Sequence, residues 1–299
     1  MLGAQVTWGH GPLVLNEHLS TSGVLDPSKV NDTIVLDRVV PQEQFRSMAE
    51  AYHLATGGAL GRVHRGMAVW RIEGRIEVPD ATQSARLADR RRQVRAAFDP
   101  ALCLRDSPDT EGAYALSFYE PTADLVNWPT GFMPLRVYGR PLGDPLLPEV
   151  IDERGSQQFA VDLLLPDPRV YAQSENTVLL TPSSPTGNLV NPGTATAPVR
   201  LTITMAGAGA ATFTISRGGV AFGLDLSGAL ANDVFVVVME TCAPYGRGRL
   251  ILKNGADAFR LKTSAANTWL DAPAGTTTFT IANTLGITSC LVGTYGAWS

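Results

Sequence analysis

The stretch FAVDLLLPDPRVYAQ (159–173) sets the first limit on the fold. Phe159, Val161, Leu163 and Leu165 alternate along it, the spacing of a strand with one buried face. At Pro166-Asp167-Pro168 that strand must end, because each proline lacks an N–H for the ladder and fixes φ. The turn-rich TPSSPTGN (181–188) follows. Charge changes across the stop as well. Residues 1–175 hold 17 of the 24 Lys and Arg and 23 of the 28 Asp and Glu, a net of −6. Residues 176–299 hold 7 and 5, a net of +2, and are rich in Thr, Ala, Gly and Val. A chain of 299 residues already favours two domains. The stop therefore predicts a boundary, with domains at 1–173 and 174–299.

The first half mixes strands and helices. DTIVLDRVV (32–40) reads as a strand. Phe45, Met48, Ala49 and Tyr52 recur at i, i+3, i+4 and i+7 and predict a helix over 42–56, stopped by Gly57-Gly58. GMAVWRIEGRIEVPD (66–80) is the clearest strand, with Trp70, Ile72, Ile76 and Val78 on one face and Arg71, Glu73, Arg75 and Glu77 on the other. SARLADRRRQVRAAF (84–98) reads as a second helix, burying Leu87, Val94 and Phe98. GAYALSFYEP (112–121), LRVYGRPL (135–142) and QQFAVDLLL (157–165) supply further strands.

The second half is nearly all strand by pattern. Val199, Leu201, Ile203 and Met205 alternate with polar residues, and DVFVVVME (233–240) is apolar on both faces, as in a central strand. RLILKNGADAFRLK carries Asn254-Gly255 between two strand-like runs, a hairpin signal because both residues tolerate positive φ. Eight to ten short strands at regular spacing predict an antiparallel β-sandwich. The fold class is mainly β with some α: an α+β domain followed by a sandwich.

Little in the sequence points to bond-making chemistry. A net charge of −4 argues against a protein that coats nucleic acid. MLGAQVTWGHGP has no basic start followed by an apolar stretch, so no signal peptide is expected. The longest strongly apolar run, Val234–Met239, falls far short of the roughly 20 residues that cross a bilayer. Cys103, Cys242 and Cys290 match no metal pattern and read as buried thiols of a reducing cytoplasm. All four histidines fall within the first 64 residues, neither HExxH nor paired CxxC occurs, and no cofactor or metal is expected. GAGAAT (207–212) has Thr212 where a dinucleotide loop needs its third glycine. Arg90, Arg91 and Arg92 lack the interleaved aromatics of a nucleic-acid site and read as a solvated helix face. Glu73 and Glu77 are a carboxylate pair of the kind glycosidases use, but Arg71 and Arg75 interleave with them. Such a row faces water or a neighbouring chain, its charges neutralising one another. Trp269 and Trp298 are the residue type that stacks on sugars, or that fills a core.

The order of these pieces resembles the distal tail proteins of long-tailed, non-contractile bacteriophages. WRIEGRIEV followed by ARLADRRRQVRAAFDP is similar to that family's strand, loop and helix. FAVDLLLPDPRVYAQ is similar to its domain-ending signature, with Asp167, Pro168 and Tyr171 at the turn. NLVNPGTATAPVRLTI (188–203), with Asn191, Gly193, Thr194 and Pro198, resembles the start of its galectin-like sandwich. LILKNGADAFRLKTSAANTWLDAPAGTTTFTI resembles the later half. Residues 42–56 and 99–156 depart from the pattern, and the His-Asn-Arg sugar contacts of true galectins are absent.

The resemblance implies a structural virion protein at the tail tip. It would form a homohexameric ring joining the tail tube protein to the hub protein and to receptor-binding or other minor tail proteins. DNA and the tape-measure protein would pass through the lumen, without specific DNA binding, membrane contact or enzymatic activity. Arg71, Glu73, Arg75 and Glu77 are the candidate subunit interface. Two rival readings remain: a lectin-like adhesin binding cell-wall glycan through the sandwich, with Trp269 in contact, and a cell-wall hydrolase using Glu73 and Glu77.

Overall fold

A computed structural model describes residues 4–11, 13–29, 33–46, 64–78, 84–106, 113–126, 128–148, 156–240, 244 and 249–298. The chain divides into two compact units, Met1–Pro168 and Arg169–Ser299.

In the first unit, alternation is what places each strand. Its elements are β1 (Val6–Trp8), β2 (Leu13–Leu15), β3 (Thr33–Arg46), β4 (His64–Glu77), α1 (Ser84–Ala97), α2 (Pro100–Asp106), β5 (Tyr114–Pro121), β6 (Phe132–Pro141) and β7 (Ser156–Leu165). The strands pair antiparallel in the order β3-β4-β7-β6-β5-β1-β2. Strand β6 lies along β5 for most of its length and reaches β7 only through Arg140 and Pro141. The far end of the order returns to its beginning through Asn16, just after β2. Its N–H donates to Ile34 O (2.8 Å), and its Oδ1 accepts from Leu36 N–H (2.8 Å).

One face of β4 (Trp70, Ile72, Ile76 and the adjoining Val78) is buried, together with Phe159, Val161, Leu163 and Leu165 of β7. Helix α1 buries Leu87 and Val94. Its last carbonyl, Ala97 O, has no partner within the helix and is satisfied from a distance. Trp8 Nε1 donates to it at 2.8 Å, and His10 Nδ1 lies 3.0 Å away. Gly74 lies on the buried face, opposite Phe159. A Cβ there would meet Val35 O at 2.4 Å and the Phe159 ring at 2.7 Å, so the aromatic ring occupies the space a side chain would take.

The helix expected from residue 42 is corrected here. Residues 42–46 continue β3, paired with 64–69 of β4, and the remainder of 42–56 lies outside the described residues. A run of helical spacing loses to a long partner strand that satisfies the backbone. Among the described residues β3 pairs with β4 alone, so Pro41 interrupts no second ladder there.

The second unit is built of β8 (Val170–Leu180), β9 (Thr186–Asn191), β10 (Ala197–Met205), β11 (Phe213–Arg217), β12 (Val220–Leu224), β13 (Val234–Val238), β14 (Leu250–Lys253), β15 (Ala256–Asp257), β16 (Lys262–Asn267), β17 (Asp271–Ala272), β18 (Gly275–Ala282) and β19 (Ile287–Trp298). One antiparallel sheet runs β15-β14-β13-β10-β19-β8, with β17 on the end of β10, and the other runs β16-β12-β11-β18-β9. Inward residues of the first (Leu201, Ile203, Phe235, Val237, Val292) and of the second (Phe213, Phe222, Leu224, Phe279) share one core. Burying each such side chain contributes about 1.5–3 kcal/mol before the entropy of ordering is subtracted. Asn254 and Gly255 both hold positive φ (50° and 83°), the mirror-image turn whose twist suits the β14–β15 hairpin.

Candidate functional site

Strand β4 lies between β3 and β7, so its outward side chains meet partners from both neighbours. Glu73 is the centre of the row. It accepts from Arg71 Nε (2.9 Å) and from Arg38 Nε on β3 (2.8 Å). Arg71 also reaches Asp162 on β7 at 3.6 Å. Arg75 donates to Glu77 (2.5 Å) and pairs with Asp37 of β3. The hydrogen bond from Arg38, reinforced by Arg71, holds the Glu73 carboxyl below the usual carboxylate range. Glu77 and Asp37 in turn hold the Arg75 guanidinium above its usual range. A carboxyl kept ionised is a poor general acid. The face is a grid of charges, each already paired within its own chain. Beside it opens a depression of about 510 Å³ with Leu146, Pro148 and Phe159 among its walls. A surface that is charge-balanced and partly apolar can be covered by another protein without leaving a bare charge.

Pro166 and Asp167 form a bend, and Pro168 and Arg169 carry the chain from it to β8. Tyr171 lies within β8, fully buried and opposite Ala297 of β19. The Arg169 guanidinium sits 5.6 Å from the Tyr171 ring centre, pairs with Glu240 (3.2 Å) and donates to Thr196 O (3.2 Å). The residues quoted from NLVNPGT have physical jobs. The fully buried Asn191 donates to Ala195 O and Ala272 O (both 2.8 Å) and accepts from Gly193 N–H (3.0 Å) and Ala297 N–H (3.2 Å). Gly193 is required because a Cβ would collide with the Ala297 backbone.

Trp269 follows β16 and is packed on the second unit's core. Phe222 lies 5.1 Å and Phe259 5.9 Å from it, ring centre to ring centre. The Arg249 guanidinium and the Lys262 ammonium lie 5.3 and 5.5 Å from the indole centre. The ring is therefore crowded by aromatic and cationic neighbours, not an open platform. Neither cation was singled out in the sequence, since they stand 20 and 7 residues from Trp269.

The remaining candidates fall in ordinary places. GAGAAT joins β10 to β11. Arg92 pairs with Asp89 on the surface of α1, and Arg90 donates to Gln93. Burial pushes the Cys103 thiol up to about 11 and the Cys290 thiol up to about 12; Cys242 lies outside the described residues. Among the described residues, no three His, Cys, Asp or Glu side chains converge as metal ligands, and no helix is long and apolar enough to cross a membrane.

No family profile matches the sequence, and no curated protein matches it. Solved structures do match. The crystal structure of SPP1 Dit (gp 19.1), described as a paradigm of the hub adsorption apparatus in phages infecting Gram-positive bacteria, gives a TM-score of 0.55 at 14% identity. The match covers 97% of this chain and 98% of that one. This chain has the fold of SPP1 Dit. Coverage that nearly complete means that the Dit fold takes in both units in the same order. It agrees with the resemblance to phage distal tail proteins drawn from the order of short motifs. The phage p2 baseplate in its activated conformation with Sr is a weaker likeness, with a TM-score of 0.43 at 8% identity over 97% of each chain.

Proposed function

We propose that this chain is a structural virion protein of a bacteriophage tail tip, the subunit of a hexameric ring at the distal end of the tail. The observation that carries the reading is the Dit fold extending over almost the whole chain. In this role the first unit closes the ring and docks on the tail tube. The second, a galectin-like sandwich, offers a platform to the hub and host-binding components. DNA and the tape-measure protein pass through the lumen. No covalent bond is made or broken. The work is adhesion, since head-to-tail contacts that close a ring cover surface a monomer leaves open.

The β4 row supports an assignment of the subunit contact. Arg71, Glu73, Arg75 and Glu77 present a rigid, charge-balanced grid, and a neighbour bearing a complementary grid can exchange partners with it at little desolvation cost. Mass measurement with negative-stain imaging tests the proposal. Six-fold rings of about 190 kDa, six copies of a 31.9 kDa chain, are expected. Arg75→Glu should shift the ring to monomer, while melting within about 1 kcal/mol of the parent because it breaks exposed pairs. A parent chain that stays monomeric both alone and with purified tail tubes would rule the proposal out.

A further inference from the structure

Five of the seven basic residues of 176–299 fall within 247–262, accompanied there by one acid, Asp257. The fold gathers two of them on one ring. Arg249 Cζ and Lys262 Nζ lie 5.3 and 5.5 Å from the Trp269 centre, so the two charges are at most about 11 Å apart. Neither meets a carboxylate among the described residues, and Lys262 donates to Asn267 Oδ1 at 2.8 Å. Arg260 is exposed on the turn Phe259–Leu261 beside them. Indole faces fix the cations in place without neutralising them, so mutual repulsion persists until an anion arrives. Around these charges stand groups of another kind. Asn267 and Thr268 are exposed immediately before Trp269, and Phe259 leaves 46% of its surface in solvent.

We propose that this cluster binds an anionic glycan, a sugar chain bearing phosphate groups. Arg249 and Lys262 take the phosphate, and Arg260 takes a second negative group along the chain. The Asn267 amide and Thr268 hydroxyl meet sugar hydroxyls, and the exposed Phe259 ring meets an apolar sugar face. Trp269 is a positioning residue: it aims the cations and does not stack on the ligand. Duplex DNA fits less well, because it needs a track of cations along several phosphates, and here two charges meet one ring, with Arg260 on the neighbouring turn, in a chain of net charge −4. The inference does not depend on ring formation, because every group named belongs to the second unit of one chain.

The test is calorimetric titration of the full chain with four probes: phosphorylated dextran, unmodified dextran, inorganic phosphate and duplex DNA. Phosphorylated dextran is expected to bind, weakening as salt is raised, and to bind more tightly per phosphate than the other three. Arg249→Gln and Lys262→Gln should each weaken it roughly tenfold, the loss of one charge-assisted contact, and the double variant should abolish it. Melting temperatures near the parent's would show that these variants fold, and Arg86→Gln on α1 should change nothing. Undiminished binding in the double variant, or no binding by the parent, would overturn the site. Inorganic phosphate or DNA binding as tightly as phosphorylated dextran would overturn the assignment to a glycan.

Discussion

Single side chains close gaps that whole strands leave. Asn191 ties the end of β9 to Ala195, Ala272, Gly193 and Ala297, using both amide protons and its carbonyl. Asn191→Ala would remove the side-chain partner of three buried backbone groups and one half-buried one, and a loss of about 3 kcal/mol is expected in denaturant melts. Asp233, itself largely buried, does similar work. It pairs with Lys253 (2.8 Å) and accepts from Asn254 (2.7 Å) and from Leu230 N–H (2.7 Å). Lys253 first, then Leu230 and Asn254, hold its carboxyl down from 3.8 to about 2. A depressed carboxylate contributes stability above its unfolded value and loses it as pH falls. Asp233→Asn should therefore flatten the pH dependence of melting between about 3.8 and 2, and leave the dependence above pH 5 unchanged. The motif NPGT was legible in the sequence as a landmark, but its four bonds were not, because their partners lie up to 106 residues away.

For elements, legibility followed pairing. The alternation of β4 is visible in sequence because one strand face carries all of it. Helix α1 was equally plain, with Leu87, Val94 and the following Phe98 buried. Helix α2 went unread although its signals were present. Asp99 caps it, accepting from Ala101 N–H (2.8 Å) and Leu102 N–H (3.1 Å), and Pro100 stands at its first position. Residues 42–46 were misread because helical spacing is a local property, while the ladder to β4 is not. The charged row was partly legible. Its own four residues lie in one run, but Asp37, Arg38 and Asp162 join from neighbouring strands. Gly74 is where that sheet should be most sensitive. Gly74→Ala must displace both the Phe159 ring and the Val35 carbonyl, and a loss of about 1–3 kcal/mol is expected by thermal melting, without loss of the outward charges.

At the scale of the molecule, the second unit carries a core drawn wholly from its own residues, Val178 to Val292. Residues 169–299 expressed alone are expected to melt cooperatively with dispersed amide resonances; a molten fragment would mean that the first unit supplies part of the fold. Strand β19 pairs with both β8 and β10, placing the last described strand inside its sheet. Removing 287–298 should therefore unfold the unit and not merely fray it. That arrangement also sets a timetable. On the ribosome, 170–180 emerge more than a hundred residues before the strand they pair with, and their unsatisfied edge invites other nascent chains. A stop codon within β19 would yield insoluble material, not a shorter working protein, and slow translation between β8 and β19 would lengthen the exposure.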